Sequence, residues 1–303
     1  TFNRPDYCVA QLQKLGEDSW NIGIVAKPAH AFLTDPRPGP IRWLPELLPG
    51  GYYADPFPLM VDGRQHLLAE GYHYRDRLGF LALLDPERST AVRLETDLPR
   101  HLSYPQPVEE DGRLWLLPES YQARKVVLLR PEPFPRRWVV DHVLLDDFAG
   151  VDCTPVLHDG RWWLFCGDND DQDQVKLFLF MAERLRGPWR AHPKNPVKID
   201  RRSSRSGGRP FVHDGVLYRP AQDCTRTYGG AVVLNRVVEL TPERFVEEEA
   251  VRIEPDPEGP YPHGLHHFVP FGELTIVDGK RQRFGPGTVA RWLSWRLRSR
   301  SAR

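Results

Sequence analysis

The strongest constraint on this chain is a repeat. Tyr53-Ala54-Asp55-Pro56-Phe57-Pro58-Leu59-Met60-Val61 reads as a short apolar strand that starts at a carboxylate and runs into the turn Asp62-Gly63. An Asp-Gly pair between two apolar runs signals a tight hairpin, because both central residues of that turn need positive φ. The second run, His66-Leu67-Leu68-Ala69, stops at Glu70. The pattern returns at Tyr104-Pro105-Gln106-Pro107-Val108, with the turn Asp111-Gly112, the run Leu114-Trp115-Leu116-Leu117 and then Glu119. It returns again at Asp152, with Asp159-Gly160 and Trp162-Trp163-Leu164-Phe165, and at Arg209-Pro210-Phe211-Val212, with Asp214-Gly215 and Val216-Leu217-Tyr218. Copies spaced by about fifty residues mark an architecture in which each unit buries its apolar face only against its neighbours.

Each copy carries two more strand-like runs. Third strands are expected at 79–84, 125–129, 175–182 and 230–237, and fourth strands at 91–94, 138–140 and 244–247, while the third copy ends in Gly187-Pro188-Trp189. Four strands in a unit of about fifty residues make the blade of a β-propeller. Beyond residue 260 only part of a fifth unit remains, at 264–269 and 274–277. The alternating run Trp20-Asn21-Ile22-Gly23-Ile24-Val25 is expected to complete it, which would close the ring and remove its open edges. The predicted fold is therefore an all-β, five-bladed β-propeller over residues 1–284, closed by the N-terminal strand and followed by a basic tail at 285–303. Residues 1–17 read as irregular, and 28–50, rich in proline and glycine, as loop.

Lys+Arg and Asp+Glu both number 41, so no global field draws the chain to nucleic acid, and no nucleic-acid partner is expected. Cys8, Cys153, Cys166 and Cys224 have no CxxC spacing, and three of them fall in or beside strands as small buried thiols. No HxH or HExxH spacing occurs, and the acidic run at 168–173 lacks the glycine and terminal glutamate of a calcium loop. No metal and no cofactor is expected. Without a signal peptide or a long apolar run the expectation is a cytoplasmic protein. The chain begins at Thr1 rather than Met, which leaves an upstream segment open.

In a propeller the first strand of each blade lines the axis, and the end of the second strand returns to the rim where the first began. Asp55 is thereby paired with Glu70, Tyr104 with Glu119, Asp152 with Asp168, and Arg209 with Gln222-Asp223. His101, His263, His266 and His267 also fall near blade starts on that rim. The repeat collects carboxylates from several blades around one axial pocket. Their bland role would be to hydrogen-bond loop backbone between blades.

Tyr53-Ala54-Asp55-Pro56-Phe57, His101-Leu102-Ser103-Tyr104-Pro105, Leu117-Pro118-Glu119-Ser120, Gly160-Arg161-Trp162-Trp163-Leu164-Phe165, His192-Pro193-Lys194-Asn195-Pro196 and Tyr218-Arg219-Pro220-Ala221-Gln222-Asp223-Cys224 occur in that order. Together they resemble the propeller domain at the N-terminus of plant glucosamine inositolphosphorylceramide transferases, a domain also found in bacterial proteins. The resemblance runs over residues 18–280. Such domains are similar in turn to five-bladed glycosidases of the arabinanase and xylosidase type. The resemblance implies a blade-one aspartate as base, a second aspartate that tunes pKa and orients the sugar, and a glutamate as acid. Asp55 matches the first and Asp152 the second, but the blade-four position of the acid holds Arg209.

Cleaving or forming a glycosidic bond needs one carboxylic acid for the leaving oxygen and one carboxylate to activate the attacking group. Glu119 and Glu70 are the candidate acids, with Asp55 as base or nucleophile, so Asp55, Asp152 and Glu119 form the candidate catalytic set. Glu70, His101, Tyr104, Arg209, Arg219, Gln222, Asp223, His263 and His266 are the candidate substrate-binding residues. An arginine fork at Arg209 and Arg219, with Lys125 nearby, would suit an anionic or nucleotide-activated sugar conjugate. Tyrosines 52, 53, 104, 121, 228 and 261 offer stacking faces for sugars, although core packing is the commoner role. From Lys280 to Arg303 the chain has basic residues and no acid, with Val289, Trp292, Leu293 and Leu297 at near-helical spacing. A short basic amphipathic helix there would either lie against the inner face of an anionic membrane or dock on the propeller with a frayed basic end. The expected function is that of a carbohydrate-active enzyme, glycosyltransferase-like or glycoside hydrolase-like, in bacterial glycan or glycolipid biosynthesis. The alternative is a non-catalytic glycan-binding propeller that presents substrate to a partner enzyme.

Overall fold

Five antiparallel sheets stand around one axis in the computed structural model, which describes residues 16–61, 63–98 and 100–283. Blade one is Gly51–Val61, Arg64–His73, Leu78–Asp85 and Thr90–Arg93. Blade two is Ser103–Glu110, Arg113–Glu119, Lys125–Pro131 and Arg137–Asp146, with Glu95–Thr96 added in parallel at its outer edge. Blade three runs Gly150–His158, Arg161–Asp168 and Lys176–Ala182, edged by the two-residue strands Arg190–Ala191 and Lys198–Ile199. Blade four is Phe211–His213, Val216–Asp223, Ala231–Leu240 and Phe245–Ile253.

Blade five is built from both ends of the described chain. Glu17–Val25 pairs with Leu274–Arg283 over nine residues, from Glu17 opposite Arg283 to Val25 opposite Thr275. Phe268–Phe271 lies on the axial side of this pair, and Ile41–Trp43 forms its outer edge. That outer strand falls in the stretch read from sequence as loop. Its three residues are too few to show a period among the surrounding prolines and glycines. The basic tail at 285–303 and its expected helix lie outside the described residues, as do residues 1–15.

The Asp-Gly turns behave as their chemistry requires. Asp111, Asp159 and Asp214 have φ of 50°, 49° and 49°, and the glycines that follow have 70°, 74° and 76°. Positive φ at both central residues gives the turn the twist of the strands it joins. The apolar faces between blades form the core. One cluster unites blades five, one and two through Ile22, Phe57, Leu68, Leu81, Leu116 and Trp138, and another unites blades two and three through Trp115, Leu128, Trp162 and Leu164.

A second left-handed residue recurs at the head of the inner strands, and it places the site. Asp55, Tyr104 and Asp152 have φ of 50°, 47° and 45°. Each lies in a register shift of its hairpin, between Ala54 and Phe57, Ser103 and Gln106, or Val151 and Thr154. A bulge of this kind bends the strand and re-aims a side chain. In blade four the turn of chain is made by Gly208, at φ 123°, and a Cβ there would lie 2.0 Å from the Phe268 carbonyl oxygen. The close approach of blades four and five thus admits only glycine.

Ile22 is fully buried in the closing strand. Ile22→Ala is expected to cost about 2–5 kcal/mol in urea denaturation, because the cavity opens where the ring is sealed. A loss within experimental error would show that this strand does not carry the closure.

Candidate active site

The inner-strand bulges and second-strand ends of several blades converge on a cavity of about 290 Å³ at one end of the axis. Asp55, Glu70, His101, Glu119, Asp152 and His266 all line it. Trp20, Tyr52, Tyr72 and Tyr228 add aromatic walls. Asp55, Glu70, Glu119 and Asp152 are each less than a tenth exposed.

Neighbouring blades are stitched through the same groups. The Asp55 N–H donates to Asp278 Oδ2 (3.2 Å), the Tyr104 N–H to Asp55 Oδ2 (3.3 Å), and the Asp152 N–H to Glu119 Oε2 (3.0 Å). Asp55 and Glu119 therefore serve the scaffold as well as the cavity. Glu70 differs. Among the described residues no hydrogen bond holds its carboxyl, and its one ion contact is His101 Nε2 at 3.8 Å. His101 accepts the Gly79 N–H at Nδ1 (2.8 Å), so its own proton sits on Nε2 and faces Glu70.

Burial and crowding set the proton affinities. Burial first, then the charges of Asp152, Asp278 and Glu119, push the Asp55 carboxyl well above the usual carboxylate range. Burial first, then Asp55, Glu119 and Asp152, do the same to Glu70. Burial also raises Asp152, to about 7, although Arg205 pulls against it. The Arg205 Nε donates to Asp152 Oδ2 at 2.7 Å, a second nitrogen pairs with Asp173, and Nη2 lies 4.0 Å from Glu119. Gln222 Nε2 donates to the same Asp152 oxygen (2.9 Å) from below.

On the blade-five side His266 stands between two carboxylates. Its Nδ1 is 2.7 Å from Asp278 Oδ2 and its Nε2 3.4 Å from Asp55 Oδ1. Trp20 stacks on the imidazole at 3.8 Å. For Asp278 burial opposes ionisation, but His266 and backbone N–H groups overcome it and hold the carboxyl below its ordinary range. Neighbouring His267 is fully buried, and burial lowers it to about 3, so it is a neutral ring packed against Phe57 and Tyr104. Asp55, His266 and Asp278 bring ligand atoms within 4.8 Å of one another. They do not fit a metal ion, because Asp278 already accepts the N–H groups of Asp55, His266 and His267 as well as the imidazole, and Nδ1 is turned to it.

Six of the expected residues thus meet in the cavity, and six stand elsewhere. Tyr104 lies fully buried beneath it, where its hydroxyl meets Thr154 Oγ1 (2.8 Å) and accepts the Gly208 N–H (2.9 Å). Arg209 is not at the site: its guanidinium lies over the Phe57 ring and reaches the Pro107 carbonyl. Arg219 is sealed inside blade four against Glu247 and the carbonyls of Ser203 and Ser204, so it steadies the segment that carries Arg205. Gln222 supports Asp152, Asp223 is paired with Arg252, and His263 is exposed, its Nδ1 accepting the Gln282 N–H. With Arg209 and Arg219 occupied away from the cavity, the arginine fork expected to hold an anion is not formed there.

Sequence reasoning missed Arg205, Asp173, Trp20 and Asp278, whereas Tyr228, expected as a stacking face, does line the cavity. The Arg205 carbonyl accepts the Gln222 N–H just as Ala54 pairs with Glu70 and Ser103 with Glu119. Arg205 therefore occupies the rim position of Ala54 and Ser103, which counting back from Asp214-Gly215 alone obscures. Asp278 follows Val277, the last residue of Leu274–Arg283 to pair with the axial strand Phe268–Phe271.

The family described as glucosamine inositolphosphorylceramide transferase 1, N-terminal, matches residues 88–259, more than half of the chain. The chain belongs to this family. It is 30% identical over 256 residues to the glucosamine inositolphosphorylceramide transferase 1 of Arabidopsis thaliana, covering 78% of this chain and 33% of that protein. It is 36% identical over 152 residues to the protein of that name from Oryza sativa subsp. japonica, covering 48% of this chain and 20% of the other. The chain thus spans between a fifth and a third of the length of these relatives. Its fold is shared with a family 117 glycoside hydrolase of Zobellia galactanivorans (TM-score 0.50, 14% identity, 76% of this chain and 84% of that one). An α-L-arabinofuranosidase of Podospora anserina solved with cellotriose gives a TM-score of 0.52 at 12% identity, over 78% and 91%. At such identities the likeness is one of fold. Membership in the glucosamine inositolphosphorylceramide transferase family makes the chain's setting carbohydrate-related.

In this family member the raised carboxyls have a stability consequence. A carboxyl whose proton affinity is raised on folding contributes stability below its unfolded pKa and loses it as pH rises through the folded value. Glu70→Gln removes that loss. It is expected to raise the melting temperature at pH 8 and to change it far less at pH 5, by calorimetry. An equal shift at both values would refute the crowding of Glu70.

Proposed function

We propose that the axial cavity makes or breaks a glycosidic bond. The observation that carries this reading is the pairing, in one cavity, of an unbonded buried Glu70 with Asp55 and the Arg205-held Asp152. Two carboxyl groups in different environments are what acid–base chemistry at an anomeric carbon requires. Glu70, kept protonated by burial and by its carboxylate neighbours, would protonate the leaving oxygen. Asp55 would take the proton of the attacking hydroxyl or water. Asp152, fixed by Arg205 and Gln222, would orient the sugar, and Glu119 holds the backbone beneath Asp152.

The relatives are named for a transferase of glucosamine. A sugar with a protonated amine suits this cavity, where Asp55, Glu119, Asp152 and Asp173 outnumber Arg205 and His266. Transfer from an activated donor to a glycolipid would follow the relatives' names, and hydrolysis uses the same groups.

The test is turnover and binding against aryl glycosides and sugar nucleotides, each as free-amine and N-acetylated forms. Asp55→Asn and Glu70→Gln are each expected to lower kcat about 100-fold or more while binding persists. Wild-type activity should fall as pH rises through the elevated Glu70 value, a limb absent from Glu70→Gln. Binding without turnover in the wild type would sink the enzyme reading. It would leave a glycan-recognition propeller, a reading favoured by the backbone N–H bonds that Asp55 and Glu119 already accept.

A further inference from the structure

We infer that His266, oriented by Asp278, is the proton store that frees Asp55 to act as a base. This rests on the proposed glycosidic chemistry but can be tested apart from it. Asp55 has a difficulty as a base. Buried among Glu119, Asp152 and Asp278, its carboxylate would hold its proton rather than leave an oxygen free to take one. An adjacent group must take that proton over, and His266 stands where such a group is needed.

The geometry settles which nitrogen does it. Asp278 is fully buried and receives four N–H donors: the backbone groups of Asp55 (3.2 Å), His266 (3.1 Å) and His267 (3.1 Å), and His266 Nδ1 (2.8 Å). A carboxylate so satisfied stays ionised and keeps the His266 proton on Nδ1. Nε2 is then the basic nitrogen, and it faces Asp55 Oδ1 at 3.4 Å. The ring cannot turn away, because Trp20 stacks on it at 3.8 Å and Tyr228 meets it edge-on. Tyr228 is itself held by Lys280, whose Nζ donates to the Tyr228 carbonyl (2.5 Å). The other ionisable groups around His266 are Asp152, whose charge interacts with it across the cavity, Tyr228, and neutral His267.

At rest the proton that burial would leave on Asp55 sits on His266 Nε2, and the Asp55 carboxylate is free. In the reaction the acceptor O–H bond breaks as an Asp55 Oδ–H bond forms. The acceptor oxygen bonds the anomeric carbon as the bond from that carbon to the leaving oxygen breaks. The leaving oxygen takes the Glu70 proton, so Asp55 ends protonated and Glu70 ionised, with His266 unchanged. Passage of one proton from Asp55 to Glu70 through solvent resets both between turnovers. His266 touches no substrate in this scheme and acts through Asp55 as a positioning residue.

The experiment is a pH titration of the full chain by NMR, with ¹⁵N-labelled histidine and ¹³C-labelled aspartate carboxyls. Nδ1 of His266 is expected to be protonated at every pH, and near neutrality the Asp55 carboxyl is expected to be ionised while Nε2 carries the proton. His266→Gln should return the proton to Asp55 at pH 7. Asp55→Asn, which keeps the shape of the site, should weaken proton binding at Nε2 by at least about tenfold, the effect of losing one facing carboxylate. It supplies the decision if His266→Gln does not fold. A proton found on Nε2 with Nδ1 bare, or an Nε2 titration unmoved in Asp55→Asn, overturns the inference. Where turnover is found, His266→Gln should lower kcat about 100-fold with KM little changed, and a change confined to KM would also overturn it. An absence of turnover would strike the glycosidic reading alone, because the titration reads the proton directly.

Discussion

The N–H of a left-handed residue in one blade, accepted by a carboxylate of the blade before it, is the contact on which the site depends. Asp278 accepts from Asp55, Asp55 from Tyr104, and Glu119 from Asp152. A residue at positive φ turns its N–H out of the ladder, and a buried N–H must find an acceptor. In each of these three contacts the acceptor is a carboxylate side chain. Once those acceptors are carboxylates, the blades bring their charges together. The same contact that aligns one blade with the next therefore builds an acidic cavity.

Crowding then sets the chemistry. Burial raises Asp55, Glu70 and Asp152 together, and the single guanidinium of Arg205 answers only on the side of blades three and four. On the opposite side His266 stands between Asp55 and Asp278, and Asp278 fixes its ring. Glu70, between these two, has neither. Three carboxyls of one cavity thus differ in partner. Such asymmetry is what lets like groups take unlike roles. It also costs stability at alkaline pH, the usual exchange between an assembled site and a well-packed interior.

Much of this was legible from residues alone. Asp62-Gly63 and its three copies announced the hairpins, and the carboxylates at 55, 70, 119 and 152 could be put on one rim because strand two returns to the level at which strand one began. The reading failed where chain geometry departs from counting. Arg209 was read as the head of blade four, but it stands five residues before Asp214, where Asp55, Tyr104 and Asp152 stand seven before their turns, and Arg205 meets the cavity instead. Arg219 was expected in an arginine fork for an anionic ligand. Strand alternation does not say that Glu247, from another strand of the same blade, closes over it.

The sequence by itself determined the repeat, the hairpin turns, the closure by residues 20–25 and the acidic character of the rim, since each follows from local periodicity and turn chemistry. Which groups touch was decided only by the tertiary structure. Arg205 meets Asp152 across 53 residues, and the Asp55 N–H meets Asp278 across 223. Those contacts depend on the tilt of one blade against the next and on the packing between them, for which no local pattern in the chain is a record.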